Sequence, residues 1–419
     1  MRPVRFVHCS DLHIDSPFKG ISAAKTSIGE ELREATFAAF RNVIDLTIDS
    51  KADFLVVAGD VYDGADRSVR AQLAFYDGLK ELAEHGIRSY VAHGNHDPLA
   101  GWASSIQWPA EVKIFGGRIE TDVVFRDQVP IASVSGVSYR TAQEDKNLAQ
   151  DFRQATVYPD ILNVAVLHCN VGSDSRHANY APCTLKDLST QKFNYWALGH
   201  VHDTKILCEG PYVVYPGNTQ GRSMRELGPR GCYLVEVNDA GNYELEFVET
   251  DLIRWAEVSV SIDKVLTVDQ LDHLVDIALV KLLNQSSRKG SVVCRIELIG
   301  RGPLYHELVH ENSLNELLNR ARSKYQNNKQ FCWVEDIVLS CKSELSIEES
   351  RKREDLVGFV LREAEDLRKH DIGEQLGEVL NPVFQHSLSK GVLKKPTQAE
   401  LEKLLEEAEI YCADLLEPN

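Results

Sequence analysis

The sequence predicts an α/β core, a second and smaller α/β segment, and a helical end. Two observations carry this. Strand-like runs alternate with helix-spaced apolar residues over roughly the first 250 positions, and β-branched runs give way to Leu, Glu, Lys and Arg beyond Ser346.

Val4–Cys9 reads as the first strand. A helix over Leu32–Ile48 follows, where Leu32, Ala35, Ala39, Val43 and Leu46 recur every three or four residues. Phe54–Ala58 is a second strand, and Arg70–His85 a second helix with Leu73, Tyr76, Leu79, Leu82 and Ala83 on one face. Ile87–Ala92, Ile131–Val137, Ile161–Leu167 and Tyr195–Leu198 continue the strand series. Hairpin-like runs at Tyr212–Tyr215, Cys232–Val237 and Tyr243–Val248 add antiparallel strands. From 253 to 345 the order is β-α-β-α-β: Ala256–Ile262, Val268–Leu283, Ser291–Ile299, Ser313–Ala321 and Phe331–Leu339. In the helical end, Leu401, Leu404, Leu405, Ala408, Tyr411 and Leu415 fall on one face, and Thr397 with Glu400 forms a capping box that starts the helix. That stripe has to be buried, either on the chain's own helix over 350–367 or on a partner.

The 419 residues exceed one ordinary core, and 43% hydrophobic with 26% charged residues is the balance of a soluble globular protein. No apolar run approaches the roughly 20 residues a membrane helix needs. Met1-Arg2-Pro3-Val4-Arg5-Phe6-Val7 runs straight into a polar motif, without the apolar stretch of a signal peptide, so a cytoplasmic protein is expected. Nine cysteines lie scattered with no C-x-x-C pair, which fits buried thiols in a reducing compartment better than disulfides or a zinc site. A net charge of −17 opposes simple nucleic-acid binding, so a phosphate-bearing substrate would need bound cations or local basic patches.

Five short pieces carry the chemistry: Asp11-x-His13, Gly59-Asp60, Gly94-Asn95-His96-Asp97, His168 and Gly199-His200-x-His202. Each follows a predicted strand, and the carboxyl ends of strands in α/β sheets are where ligands bind. Taken singly, Gly-Asp is most often a turn and a lone histidine a core or surface residue, as His8, His85, His93, His306 and His310 are read. Their order and shared position make coincidence a poor account. Carboxylates, imidazoles and one amide oxygen suit manganese, iron or zinc better than calcium. Two such cations need a bridging carboxylate, for which Asp60 is the natural candidate.

In that order the pieces resemble the calcineurin-like metallophosphoesterase superfamily over about the first 250 residues. Asp15-Ser16-Pro17-Phe18-Lys19-Gly20, Gly59-Asp60-Val61-Tyr62-Asp63 and Tyr215-Pro216-Gly217-Asn218 are similar, more narrowly, to the SbcD-type DNA repair nucleases and their YhaO-like branch. The resemblance implies a β-sandwich flanked by helices at 1–252, a small α/β capping domain at 253–345 and a helical C-terminal region at 346–419. It implies one metal on Asp11, His13, Asp60 and His202, and a second on Asp60, Asn95, His168 and His200. The ions would be divalent transition metals, manganese first. His96 would steady phosphate or protonate the leaving oxygen, with Asp97 orienting it.

One position departs. Many of these nucleases carry histidine three residues after the bridging aspartate, where this chain has Asp63. Protein phosphatases of the superfamily carry aspartate there, followed by a phosphate-clamping arginine. Gly64-Ala65 stands in that place here.

The basic, glycine-containing segment Gly221–Arg230 reads either as a loop touching the DNA backbone through Arg222 and Arg225 or as a solvated hairpin. Arg176 and His177 are similar candidates. The expected activity is that of a metal-dependent DNA exonuclease or endonuclease in repair. Its implied partners are DNA, an SbcC-type coiled-coil ATPase and a second copy of the chain. The rivals are a small-molecule phosphodiesterase on cyclic or dinucleotides, and a non-catalytic DNA-end scaffold. The residues beyond 253 argue against the first, and the intact ligand set with His96 against the second.

Overall fold

The computed structural model describes residues 2–16, 18, 26–64, 68–101, 106–172, 180–189, 192–285, 290–325, 330–344, 346–369, 380–383 and 396–416. Arg176 and His177 lie outside them. The chain opens with β1 (Val4–Cys9), α1 (Thr26–Asp49), β2 (Phe54–Ala58), α2 (Val69–Glu84), β3 (Arg88–Ala92) and β4 (Val112–Ile114). Next come β5 (Glu120–Arg126), β6 (Val129–Gly136), β7 (Leu162–His168), α3 (Leu185–Ser189), β8 (Tyr195–Gly199), β9 (Lys205–Glu209) and β10 (Tyr212–Tyr215). β11 (Gly231–Val237) and β12 (Tyr243–Glu249) then return to the first strand.

These strands form two six-stranded sheets, ordered β12-β11-β1-β2-β3-β4 and β5-β6-β7-β8-β10-β9. The centre of each is parallel: β1-β2-β3-β4 in one, β6-β7-β8-β10 in the other. Side chains alternate faces along a strand, so each central strand feeds two cores. Phe6, Phe54, Val56 and Tyr90 of the first sheet pack on Ile131, Val134, Val164, Val166, Tyr195 and Val214 of the second, the inner core of a β-sandwich. The opposite face of the first sheet, with Val7, Leu55, Val57 and Val91, is covered by Phe40, Val43 and Ile44 of α1 and Phe75, Leu79 and Leu82 of α2. The outer face of the second, with Ala165, Leu167, Trp196 and Leu198, is covered by Phe152, Leu188 and Phe193. Burial on both faces explains why the strands read as unbroken apolar runs.

α2 rotates relative to expectation. Its buried face is Ala71, Phe75, Gly78, Leu79 and Leu82, with Ser68 capping the Ala71 amide, and Leu73 is exposed. Packing against Phe40 and Ile44 of α1 leaves no room beyond a hydrogen at Gly78, which turns that stripe inward. β4, β5 and β9 escape the sequence pattern because they are edge or near-edge strands with few fully buried side chains.

Beyond β12 the elements are β13 (Ile253–Ser261), α4 (Val268–Gln285), β14 (Ser291–Ile299), α5 (Tyr305–Leu308), α6 (Glu311–Tyr325), β15 (Cys332–Leu339), α7 (Ile347–Arg351), α8 (Leu356–Lys369) and α9 (Gln398–Leu416). β13-β14-β15 form a third sheet. The chain divides into two compact units. One is Met1–Val260 with Asp272–Glu297 and Leu314–Val338, and the other is Ser261–Leu271, Leu298–Ser313 and Leu339–Asn419. Within the first, Trp255, Val293, Phe331 and Trp333 pack on Ile28, Leu32 and Ala35 of α1.

Within the second unit α9 lies on α8. Leu401 and Leu405 meet Ala364, Ala413 meets Val357 and Leu361, and the buried Glu409 carboxylate pairs with Arg351 and Arg368. The capping box forms: Thr397 N donates to Glu400 Oε2 at 2.7 Å and Glu400 N to Thr397 Oγ1 at 3.4 Å. The expected single stripe thus splits in two, because Leu404, Tyr411 and Leu415 remain exposed. Among the described residues no helix is long and apolar enough to cross a membrane.

Candidate metal centre

The five pieces leave the carboxyl ends of β1, β2, β3, β7 and β8, and the parallel arrangement puts those ends on one rim of the sandwich. The loops after β1 and β2 are stitched together by Asp11 N to Gly59 O at 3.0 Å, His13 N to Asp60 O at 3.1 Å and Ile14 N to Val61 O at 2.9 Å. Four candidate ligands adopt left-handed backbone: Asp11 (φ 51°), His13 (φ 43°), Asp60 (φ 51°) and His200 (φ 100°). Such a conformation costs on the order of 1–3 kcal/mol per residue and persists only where its surroundings impose it, commonly at functional sites.

Of the three glycines beside the ligands, only Gly59 is needed for its backbone angle (φ 96°). Gly199 is needed for room, since a Cβ there would stand 1.9 Å from the Ala58 carbonyl oxygen.

Two groups of side chains meet. In the first, His13 Nε2 lies 3.4 Å from His202 Nε2 and 4.0 Å from Asp60 Oδ2, and His202 Nε2 lies 3.6 Å from Asp11 Oδ1. In the second, His168 Nε2 is 3.3 Å from Asp60 Oδ2 and 3.1 Å from Asn95 Oδ1, which is 3.2 Å from His200 Nδ1. Asp60 touches both groups and is 1% exposed, as is Asp11. A third set, His13, Asp63 and His96, also converges and is more open.

The donor set fits metal ions. His168 Nδ1–H donates to the Ala58 carbonyl at 2.9 Å, so the Nε2 lone pair of the neutral ring faces two oxygens. His202 Nδ1–H donates to Glu226 Oε1 at 2.6 Å, so its Nε2 lone pair faces His13 Nε2. Acceptors confronting acceptors in a buried site repel unless a proton or a cation sits between them. Without metal the proton serves at His168: burial opposes its charged form, but the Asp60 carboxylate outweighs burial and raises the ring to about 9. His13 goes the other way. Burial first, and then the Arg222 charge, hold its pKa well below 6.5, leaving a neutral ligand nitrogen. Among the described residues no lysine or arginine pairs with Asp11 or Asp60.

Beside this cluster stands His96, with Asp63 Oδ1 2.7 Å from its Nδ1. That hydrogen bond raises the His96 pKa and outweighs its partial burial. The expected role of Asp97 is therefore corrected. Its carboxylate is buried and accepts from Val61 N at 2.9 Å, Gly94 N at 2.8 Å and His93 Nδ1 at 2.9 Å, so it shapes the turn that carries Asn95 and His96. Asp63 stands behind His96 because the β2 loop folds over the turn, with Gly64 N bonded to His96 O at 3.1 Å.

Glu226 escaped sequence reading altogether. It lies 24 residues beyond His202, and no local spacing marks it. Of the basic candidates in its loop, Arg225 is exposed, whereas Arg222 is turned inward against Ser16, Asp63 and Glu226. Arg230 is buried and braces the His202 turn through the His202 carbonyl and Asn218.

Residues 4–204 match the family model of calcineurin-like phosphoesterases, and residues 255–342 match that of the middle domain of metallophosphoesterase YhaO. The metallophosphoesterase YhaO of Bacillus subtilis is 33% identical over 408 residues, covering 97% of this chain and 96% of that protein. The DNA double-strand break repair protein Mre11 of Archaeoglobus fulgidus is 22% identical, with 96% of this chain and 89% of that protein aligned. Mre11 of Thermoplasma acidophilum is 22% identical over 59% of this chain and 66% of its own length.

Proposed function

The chain belongs to the calcineurin-like metallophosphoesterases, and from that premise we propose that it is a two-metal phosphodiesterase acting on DNA in repair. The supporting observation is the convergence of seven metal-ligand candidates on one rim, with the His96–Asp63 pair beside them. Similarity to Mre11 along almost the whole chain favours DNA over a small nucleotide.

One cation is assigned to Asp11, His13, Asp60 and His202, and the other to Asp60, Asn95, His168 and His200, a mixed nitrogen and oxygen set that suits manganese, iron or zinc. Bound there, two divalent cations would neutralise phosphate oxygens and lower the pKa of an attacking water. The chain's own residues do the rest. Glu226 fixes the His202 tautomer, the Ala58 carbonyl fixes that of His168, and the Asp63 hydrogen bond favours the protonated His96 that would donate to the leaving oxygen. Arg225, which is exposed, is assigned to contact with the DNA backbone. Nine free cysteines suit a cytoplasmic setting.

The test is manganese-dependent digestion of end-labelled DNA beside cyclic and dinucleotide substrates. DNA cleavage that disappears with chelation is the expected result. Turnover confined to the nucleotides would replace DNA as the substrate.

The exposed face of α9 is assigned to docking on an SbcC-type coiled-coil ATPase. Tyr411 and Leu415, 64% and 65% exposed, contribute little to the α8–α9 packing, so Tyr411→Glu with Leu415→Glu should leave the fold intact. The double variant is expected to lose co-purification with the cognate ATPase while keeping manganese-dependent cleavage. Undiminished co-purification would exclude this face.

A further inference from the structure

Arg222 reaches the centre from a loop 159 residues beyond Asp63, and its side chain is only 14% exposed. Its Nη1 donates to Ser16 Oγ at 2.8 Å and to Asp63 Oδ2 at 3.2 Å, and the Ser16 hydroxyl donates to the same Asp63 oxygen at 2.6 Å. Its Nη2 lies 3.7 Å from Glu226 Oε1, and its backbone N–H donates to Glu226 Oε2 at 2.6 Å. The two carboxylates it joins hold two different imidazoles: Asp63 Oδ1 is 2.7 Å from His96 Nδ1, and Glu226 Oε1 is 2.6 Å from His202 Nδ1.

We propose that Arg222 is a positioning residue for two imidazoles of the centre, a single guanidinium that aligns the carboxylate behind the proton donor and the carboxylate behind a metal ligand. This deepens the two-metal phosphodiesterase reading and rests on it. Asp63 and Glu226 would otherwise repel each other beside Asp11 and Asp60, and would swing away from the imidazoles they orient. A planar fork can meet both carboxylates at once, which a lysine's point charge cannot. Nη1 and Nη2 are turned toward Ser16, Asp63 and Glu226, the partners of a side chain that supports the site.

The test uses the full chain with Arg222→Lys, Arg222→Gln and Arg222→Ala. Manganese titration followed by paramagnetic resonance is the readout independent of turnover. One of the two ions should bind about 10-fold more weakly in all three variants, the low end of what losing an outer partner costs a metal site. Arg222→Lys matters most, since it keeps the charge and removes only the fork.

On manganese-loaded protein, kcat should fall by about 10–100-fold for a dinucleotide with an alkoxide leaving group. KM should stay unchanged. The fall should be smaller for bis(p-nitrophenyl) phosphate, whose leaving group departs without a proton. Added guanidinium should restore kcat to Arg222→Ala.

Wild-type manganese binding by Arg222→Lys would overturn the proposal. So would a rise in KM alone, which would make Arg222 a substrate clamp, or loss of fold in all three variants, which would make it a stability residue. A wild-type chain that cleaves no phosphodiester would defeat the functional reading instead, and the manganese titration would still decide the role of Arg222.

Discussion

Asp60→Asn is expected to lose both metal ions and, with them, measurable phosphodiester cleavage. Asp60 lies in reach of both imidazole groups, 3.3 Å from His168 Nε2 and 4.0 Å from His13 Nε2. Its other oxygen accepts from His96 N at 2.9 Å, so the substitution also loosens the turn that presents Asn95 and His96. Loss of an outer partner typically weakens a metal site by about 10–100-fold, and removing a shared anionic ligand should exceed that at both positions. Metal analysis after gel filtration measures it directly. Retention of two ions per chain by Asp60→Asn would refute Asp60 as the bridge.

His96→Ala should separate binding from chemistry. The ring lies outside both proposed ligand sets, so two metal ions should remain, while turnover on DNA should fall by about 10²–10⁴-fold, the usual worth of a general acid or base. Loss of an ion instead would promote the His13, Asp63 and His96 group to a metal site. Asp63→Asn sharpens the test. Its hydrogen bond raises the His96 pKa, so the protonated donor is lost only as pH rises through that raised value. Without the carboxylate, the alkaline limb of kcat should move to lower pH. A profile that stays in place would separate Asp63 from the acid role.

Much of the core was legible because its strands are buried on both faces. Leu55 and Val57 serve one core while Phe54, Val56 and Ala58 serve the other, so apolar composition alone announces β2. β9, at a sheet edge with no fully buried residue, gives no such signal. The candidate ligands were legible for a related reason. They sit at strand ends, in short glycine-marked pieces whose order the chain preserves.

The sequence by itself determined the α/β class, the residue types at the centre and the capped terminal helix. Each is written in local spacing, through strand alternation, helical periodicity or a turn. Tertiary structure alone decided which carboxylate serves which imidazole. Asp97 is adjacent to His96 in the chain yet turns to His93 and the loop amides, while Asp63 crosses from the neighbouring strand loop to take its place. Glu226 and Arg222 arrive from twenty or more residues past the last histidine of the motif. Such pairings depend on how separate loops stack above parallel strands, and spacing along one chain carries no record of a contact made between its distant parts.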